Sequence, residues 1–429
     1  MVSRDFGHSR EGSEACELIQ ALLWSYGTML KSNASDELGD IAESLNRLDI
    51  RRVLQPIQKT GQRPRVLFLG PGKYALGVWS TRAKYIFPDL FGPLSDIADI
   101  HMITSAVPEF AKNGMRALTR EFGIKVIESR LGNPRAWLHS TLRAIKDVQP
   151  DVLTNIFAGI SMLYAAGMAG RLAGVKSVLR IAGDEIATRL AVGTYEAGST
   201  KHIQDKFLED IGVNLADRII VMSDQERGRI KSRLVVDRDQ TAVVVRGVDL
   251  TVFKPASDIG KPKAPRKFCY VGRKSLEKGY DLIEQAARIV ANEMPDIEFH
   301  FAGTFEPGRQ GNAVYHGFVE AEDLPKFYGE SDAFVLCSRN EGFPQALAEA
   351  MAMAKPCIVS RHLFENSFAD GEDALLVDTT PESVAKAVLR LARDTELSAR
   401  LAARSRSIAE TSLDRAGQRQ AYRQIILDR

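Results

Sequence analysis

The sequence predicts an α/β protein of two domains, each built on a parallel sheet with helices on both faces. Short apolar runs alternate with longer stretches of helical periodicity from residue 62 to about residue 425. A linker rich in Lys and Pro, residues 254–266, divides this series into halves of similar size. The length of 429 residues also fits two domains and an extension.

The composition limits the classes of function. Hydrophobic residues make up 45% and charged residues 26%, which is typical of a soluble globular protein. The net charge of +2 comes from mixed signs, so we expect no nucleic-acid partner. Four scattered cysteines (Cys16, Cys269, Cys337 and Cys357) favour reduced thiols in a cytoplasmic protein. No stretch resembles a signal peptide or a membrane-spanning helix.

Four regions are predicted along the chain. Residues 1–61 carry two apolar helical stripes and form a helical extension, with a partner- or membrane-docking hairpin as the alternative. The first α/β domain covers residues 62–254 and the second covers residues 255–410. The final helix, within residues 411–429, is expected to cross back to the first domain.

Apolar runs place the strands of both domains. In the first domain they are residues 65–69, 100–105, 125–129, 151–156, 177–181, 218–222 and 242–245. In the second domain they are residues 267–271, 297–302, 313–318, 333–337, 357–360 and 374–377. The clearest helices are residues 108–122, 135–148, 159–173, 381–393, 396–408 and 413–427.

The acidic loop, residues 338–344, follows a buried strand and leads into a helix. Pro344 suits the first helical position. The unpaired N–H groups of a helix start attract phosphate, and Glu341 and Glu349 flank this start. Amides for phosphate and carboxylates for hydroxyl groups together suit a sugar nucleotide.

The basic turn, residues 272–279, also joins a strand to a helix. Arg273 can grip phosphate oxygens with its fork, and Lys278 supplies a compact charge. Ligands bind at the carboxyl ends of strands in open α/β sheets, so we expect the basic turn and the acidic loop at one edge. A solvated basic turn is the alternative.

Four segments in order resemble the family 4 retaining glycosyltransferases, which have the GT-B fold of two Rossmann-like domains facing across a cleft. The segments are ADRIIVMS at 216–223, VRGVD at 245–249, the basic turn, and EGFPQALAE at 341–349. The likeness is sharp from about residue 216 to residue 378.

This resemblance implies a role for each matching residue. Arg273 and Lys278 would hold the donor diphosphate, Glu341 would face the transferred sugar, and Glu349 would accept hydrogen bonds from the ribose. Donor contacts are also implied for Gly272, Gly317, Phe318, Gly342, Phe343, Gln345 and Ala346. A nucleotide-diphosphate sugar is the expected co-substrate, and no metal or other cofactor is expected. Members commonly lack an obvious protein nucleophile, so none is assigned.

The acceptor side departs from the family pattern. Many members carry His-Gly-x-Asp/Glu after the strand near residue 180, but Ala182 replaces the histidine here. Asp184 is the candidate acceptor contact or base, and a helix N-cap is the equal alternative. Arg180, and Gly72 with Lys73 in the first glycine-rich loop, are further acceptor or phosphate candidates.

Three other patterns in the sequence each have two interpretations. Residues 70–75 nominally fit a dinucleotide fingerprint, but the expected acidic residue is missing. Asp237 and Asp239 fit a metal signature, yet a polar turn is favoured. The basic and aromatic residues between 79 and 91 could rest on a membrane, although a partly buried helix is favoured. They are Trp79, Arg82, Lys84, Tyr85, Phe87 and Phe91.

The sequence therefore predicts a retaining enzyme that transfers a sugar from a UDP- or GDP-sugar to an acceptor hydroxyl. The acceptor would be a glycan or lipid-linked molecule in glycan, polysaccharide or glycolipid synthesis, in the cytoplasm or at the inner face of the membrane. The alternatives are another GT-B sugar-nucleotide enzyme, such as an epimerase or phosphorylase, and a sugar-nucleotide-binding scaffold without activity.

Overall fold

The computed structural model describes residues 63–70, 83–105, 116, 119–191, 193–234, 240–255 and 263–428. The predicted extension 1–61, the candidates Gly72 and Lys73, and the pair Asp237 and Asp239 lie outside these residues. Contacts divide the chain into two compact units.

The first unit is built on a seven-stranded sheet with the order β3-β2-β1-β4-β5-β6-β7. The pairings from β3 to β6 are parallel, and every residue of β4 is buried because helices cover both faces. Its strands are β1 (Arg65–Leu69), β2 (Asp99–Thr104), β3 (Lys125–Glu128), β4 (Val152–Asn155), β5 (Lys176–Arg180), β6 (Arg218–Val221) and β7 (Thr241–Val243). Its helices are α1 (Ala83–Leu90), α2 (Gly92–Ser95), α3 (Pro134–Val148), α4 (Ile160–Ala173), α5 (Glu185–Ala191), α6 (Thr200–Leu215) and α7 (Asp224–Lys231).

The second unit repeats this plan with the order β10-β11-β9-β8-β12-β13-β14. Its strands are β8 (Lys267–Gly272), β9 (Glu298–Gly303), β10 (Gly308–Gln310), β11 (Ala313–Gly317), β12 (Ala333–Leu336), β13 (Cys357–Ser360) and β14 (Leu375–Val377). A 3-10 turn covers Leu276–Lys278. The helices are α8 (Tyr280–Glu293), α9 (Leu324–Gly329), α10 (Gln345–Ala352), α11 (Arg361–Phe364), α12 (Pro381–Arg393), α13 (Thr395–Ser412) and α14 (Arg415–Leu427).

Both sheets have a topological switch point where successive strands are added on opposite sides of the first strand. In the second unit β8 lies between β9 and β12, and in the first unit β1 lies between β2 and β4. Ligands of doubly wound sheets bind outside the strand ends at this position. The switch point therefore marks where a site is expected within each unit.

The limits of the two compact units differ from the domain limits predicted at residues 254 and 410. The second unit takes Met222–Glu226 and Val243–Gln418. Residues near both predicted limits belong to the second unit because they contact each other: the Val248 amide donates to the Leu413 carbonyl at 2.7 Å. The end of α14 belongs to the first unit, where Lys176 Nζ donates to the Ile425 carbonyl at 3.0 Å.

Two aromatic residues of the suggested membrane face lie in the core instead. Phe87 and Phe91 are buried, and their rings meet edge to face at 4.9 Å. The burial of these two rings agrees with the partly buried helix that the sequence favours for this segment. Within the described residues, no helix is long and apolar enough to cross a membrane. The cysteines there, Cys269, Cys337 and Cys357, are buried free thiols.

Candidate functional site

The acidic loop connects the buried strand β12 to α10. Pro344 has φ −70° and ψ 130°, so it is the N-cap, and the helix starts at Gln345. The predicted place of Pro344 at the first helical position is therefore wrong by one residue, because its ψ angle is still extended. The Pro344 carbonyl accepts from the Leu347 amide at 3.1 Å. The N-terminus of α10 therefore lies at Gln345, and the start of a helix is where an anion is expected to bind.

The basic turn leaves the end of β8 and enters α8. The Tyr270 hydroxyl donates to the Arg273 carbonyl at 2.7 Å. The amide of Lys274 donates to Thr304 Oγ1, also at 2.7 Å. Since Tyr270 lies in β8 itself and Thr304 directly follows the neighbouring strand β9, specific hydrogen bonds hold the turn on the sheet.

The two loops meet because β8 and β12 are neighbouring parallel strands. Lys278 Nζ forms an ion pair with the carboxylate of Glu341. Ser338 Oγ donates to the same carboxylate at 3.3 Å. The Lys278 and Glu341 side chains are only 19% and 11% exposed, so the pair is well shielded from water. The expected adjacency of basic turn and acidic loop is thus present, at the switch point of the second sheet.

Arg273 has a different environment from Lys278. Its guanidinium pairs with Glu277 at 3.2 Å and stays 43% exposed. A pair this open is weak and readily exchanged for a ligand. Arg273 therefore has the exposure that a phosphate contact requires.

Glu349 lies on α10, and its side chain is buried. The Tyr328 hydroxyl donates to its Oε2 at 3.1 Å. Burial raises the pKa of Glu349 to about 7, although Tyr328 and the nearby charges of Arg246 and Arg415 favour the carboxylate. No sequence pattern marked Tyr328, which lies near the end of α9, outside the acidic loop and the basic turn.

The remaining donor candidates of the acidic loop and its helix take part in packing. Phe343 sets its ring edge to face on Phe364 at 6.3 Å. The Ala346 carbonyl accepts from the Tyr328 hydroxyl at 3.2 Å. Gln345 Nε2 donates to the Gly247 carbonyl at 3.4 Å, and Gly342 is buried. The side chains of Phe343 and Gln345 thus contact other parts of the protein, so a role of these two residues toward a ligand would fall to their backbone.

Three further donor candidates lie at the ends of strands. Gly272 ends β8, Gly317 ends β11 and Phe318 follows it as an exposed ring. His316 contacts His300 through ring nitrogens 2.9 Å apart. Burial lowers the pKa of both histidines, which favours a neutral pair with a structural role.

The described candidates of the first unit, Asp184 and Arg180, make contacts with neighbouring protein groups. Asp184 Oδ1 accepts from the Ala187 amide at 2.9 Å, and its Oδ2 lies 3.4 Å from Arg229 Nη1. The Arg180 amide donates to Asn155 Oδ1 at 2.8 Å, and its guanidinium donates to the Ile156 carbonyl at 3.1 Å. Asp184 therefore acts as a helix cap, the alternative weighed from the sequence.

Within the described residues, no group of three or more His, Cys, Asp or Glu side chains is arranged so that it could hold a metal ion.

Comparison with known proteins places the site in context. The family model described as glycosyl transferases group 1 matches residues 254–408. Mannosylfructose-phosphate synthase of Agrobacterium fabrum is 29% identical over 33% of this chain and 37% of its own length. UDP-Gal:alpha-D-GlcNAc-diphosphoundecaprenol alpha-1,3-galactosyltransferase of Escherichia coli is 26% identical over 71% of this chain and 78% of its own. A D-inositol 3-phosphate glycosyltransferase of Arthrobacter is 28% identical, and the match spans less than half of that relative, 45%.

Solved structures share the fold at low sequence identity. Anabaena Alr3699/HepE in complex with UDP and glucose has a TM-score of 0.61 and 17% identity, covering 84% of this chain and 98% of the other. Sucrose-phosphate synthase from Thermosynechococcus elongatus has a TM-score of 0.62 and 16% identity, covering 85% and 99%. These likenesses and the two parallel-stranded units confirm the predicted GT-B fold class.

Proposed function

We propose that the chain is a retaining glycosyltransferase, because residues 254–408 match the family model of the group 1 glycosyltransferases. It moves a sugar from a UDP- or GDP-sugar to the hydroxyl of a glycan or lipid-linked acceptor. Two findings support the donor class: Alr3699/HepE was solved with UDP and with UDP-glucose, and the Escherichia coli relative is named for UDP-Gal.

One observation carries the proposal. The shielded pair of Lys278 and Glu341 lies beside the start of α10 at the switch point, with Glu349 on the same helix. A cation and the start of a helix suit a diphosphate, and carboxylates suit sugar hydroxyls. Breaking the glycosyl–phosphate bond leaves negative charge on the nucleotide, and fixed positive groups stabilise that charge.

The proposed roles follow from this placement. Arg273 and Lys278 hold the diphosphate, and Glu349 accepts from the ribose hydroxyls. Glu341 faces the transferred sugar and positions Lys278. We propose that the two side-chain cations and the helix start stabilise the leaving group without a metal ion.

A second candidate is a sugar-nucleotide-binding scaffold without transfer activity. The observation in its favour is the acceptor side, where Asp184 caps α5 and pairs with Arg229. In this alternative the donor site is intact, and no residue of the first unit activates an acceptor.

The test offers purified protein a set of UDP- and GDP-sugars, with and without candidate acceptors, and measures nucleotide release. Arg273→Ala and Glu349→Ala are expected to weaken donor binding about 10-fold or more. Arg404→Ala is the control, because Arg404 pairs with Asp373 in the same unit, 54% exposed and outside the site. Addition of EDTA is expected to leave the rate unchanged.

The outcomes separate the proposals. If both site variants bind every nucleotide sugar as the parent does, the site assignment is wrong. If the parent binds a donor but no acceptor accelerates nucleotide release, the scaffold is correct.

A further inference from the structure

Arg339 lies in the acidic loop, two residues before Glu341, and reaches across to the basic side of the site. Its guanidinium forms a fork with Asp281 on α8, with Nη1–Oδ1 and Nη2–Oδ2 distances of 2.8 Å each. A two-pronged pair of this kind fixes orientation as well as distance.

The same residue also holds the backbone of the basic turn. The Arg339 amide donates to the Glu277 carbonyl at 2.8 Å, and Nη1 donates to the Leu276 carbonyl. These carbonyls directly precede Lys278 in the chain. Arg339 therefore contacts the turn just before Lys278 and α8 just after it.

Close backbone packing acts at the same place. Gly279 has φ 67°, and a Cβ there would lie 1.9 Å from the Cys337 carbonyl oxygen. Only glycine allows the two loops to approach this closely. The contact and the Arg339–Asp281 pair together set the distance between the acidic loop and the basic turn.

The pair is only partly exposed, 34% for Arg339 and 21% for Asp281. Full solvation would weaken the pair, but here the Leu276 carbonyl also accepts from the guanidinium and adds to the fork. The guanidinium is thus committed to protein groups and acts on a ligand only through Lys278 and Glu341.

We propose that Arg339, with Asp281, is a positioning residue that holds Lys278 and Glu341 in the arrangement needed for the donor diphosphate and its sugar. This inference rests on the proposed donor site. Catalytic groups must be held closely by their supporting contacts, and a misplacement of about 1 Å can cost about 100-fold in rate.

The first test compares Arg339→Lys and Asp281→Asn with the parent. Lysine keeps the charge but cannot form the fork. We expect both variants to weaken UDP or GDP binding and to lower kcat/KM about 10- to 100-fold. Arg404→Lys, at a single-contact ion pair of the same unit, is expected to change neither value.

A double-mutant cycle separates positioning from general destabilisation. If Arg339 acts through Lys278, then Arg339→Lys should cost much less binding in a Lys278→Ala background than in the parent. An equal loss in both backgrounds overturns the inference. Asp281→Asn, which nearly preserves shape, gives the same cycle if Arg339→Lys does not fold.

The result also distinguishes this inference from the proposed function. If Lys278→Ala weakens donor binding but Arg339→Lys and Asp281→Asn bind and turn over as the parent does, only the positioning role fails. If Lys278→Ala itself binds UDP and GDP like the parent, the proposed donor site fails, and the positioning role fails with it.

Discussion

The two units share one sheet order but use their candidate residues differently. In the second unit, Lys278 and Glu341 come from loops after the neighbouring strands β8 and β12, at the switch point. In the first unit, Arg180 ends β5 and Asp184 follows it, one strand away from the switch-point pair β1 and β4. Position in the sheet therefore separates the two sets before any chemistry is considered.

Hydrogen bonding gives the same distinction. Asp184 and Arg180 satisfy backbone groups of their own surroundings, which a fold needs whether or not a ligand binds. Lys278 and Glu341 satisfy each other across two loops. Burying two opposite charges is costly, so a shielded pair between loops is poorly explained by stability alone. The difference teaches that convergence from separate strands indicates a site better than residue type does.

The largest effect is expected for Lys278→Ala. The variant removes a fixed cation from the leaving phosphate, so we expect kcat to fall about 100- to 1,000-fold. Glu341 would also lose its partner in a shielded place. Nucleotide release under saturating donor measures the effect.

Lys263→Ala is the matched control for that change. Lys263 also forms an ion pair in the second unit, with Asp332 at 2.5 Å, but it precedes β8 and is 74% exposed. We expect its rate to equal that of the parent. Equal losses in both variants would mean that the second unit responds to charge in general and has no local site.

The next largest effect is expected for Gly279→Ala. The new Cβ meets the Cys337 carbonyl oxygen, so the basic turn must move away from the acidic loop. We expect a lower melting temperature together with weaker UDP binding. Thermal unfolding and calorimetric titration measure the two quantities.

Gly311→Ala separates the two causes. Gly311 has a similar φ of 59°, but an added Cβ finds nothing within 4 Å. The free energy of unfolding of this variant should fall by only roughly 1 kcal/mol, because alanine is strained in the left-handed conformation. The variant should bind UDP normally. If Gly311→Ala weakens UDP binding as much as Gly279→Ala does, loop spacing is not what the donor site depends on.

A smaller effect is expected from the titration of Glu349. Its pKa is raised to about 7 in the folded protein from an ordinary value of 4.5, so the folded state keeps a proton that the unfolded chain has lost. The free energy of unfolding therefore falls as pH rises from about 4.5 to 7, by about 3 kcal/mol in total. Glu349→Gln, which stays neutral, should lack this fall in denaturant titrations.

Donor binding should follow the same group with the opposite sign. A carboxylate accepts hydroxyl hydrogen bonds more strongly than the neutral acid, so UDP should bind more tightly from pH 6.5 to 8.5. Burial lowers the pKa of His300 and His316 below 6.5, so both are mostly neutral over this range. Glu349→Gln should show less of this dependence, and an identical pH profile in the variant would remove Glu349 from the donor site.

Much of the fold could be predicted from the sequence because its signals are local. Apolar runs gave the thirteen predicted strands of the two sheets within about two residues, since strands buried on both faces must be apolar throughout. β10 was missed because its residues, Gly308–Gln310, are exposed and none is apolar. The predicted helix start at Pro344 was wrong by one residue because the ψ angle of Pro344 is still extended.

The site was predictable only where two motifs could be expected to meet. Glu341 and Lys278 were found because both follow apolar strands that could be neighbours. Tyr328 and Asp281 could not be found this way. They act through contacts with residues 21 and 58 positions away in the chain, which no local pattern records.

The smallest effect on the donor side, and the sharpest test of the comparison, is expected at Asp184. As the cap of α5 it should contribute about 1 kcal/mol to stability, so Asp184→Ala should lower the melting temperature and leave UDP binding unchanged. Asp184→Asn keeps an equally good cap and removes the charge next to Arg229. If Asp184 is only a cap, the asparagine variant should transfer sugar as the parent does.

If Asp184 also contacts or deprotonates the acceptor, Asp184→Asn should fold normally, bind UDP normally and yet lose turnover. That result would break the comparison, because one residue of the first unit would then serve both the fold and the reaction. Its position after β5 would no longer argue against a catalytic role, and the acceptor would have to reach the strand next to the switch-point pair. Measuring the melting temperature, the UDP affinity and the rate on the same two variants decides between these outcomes.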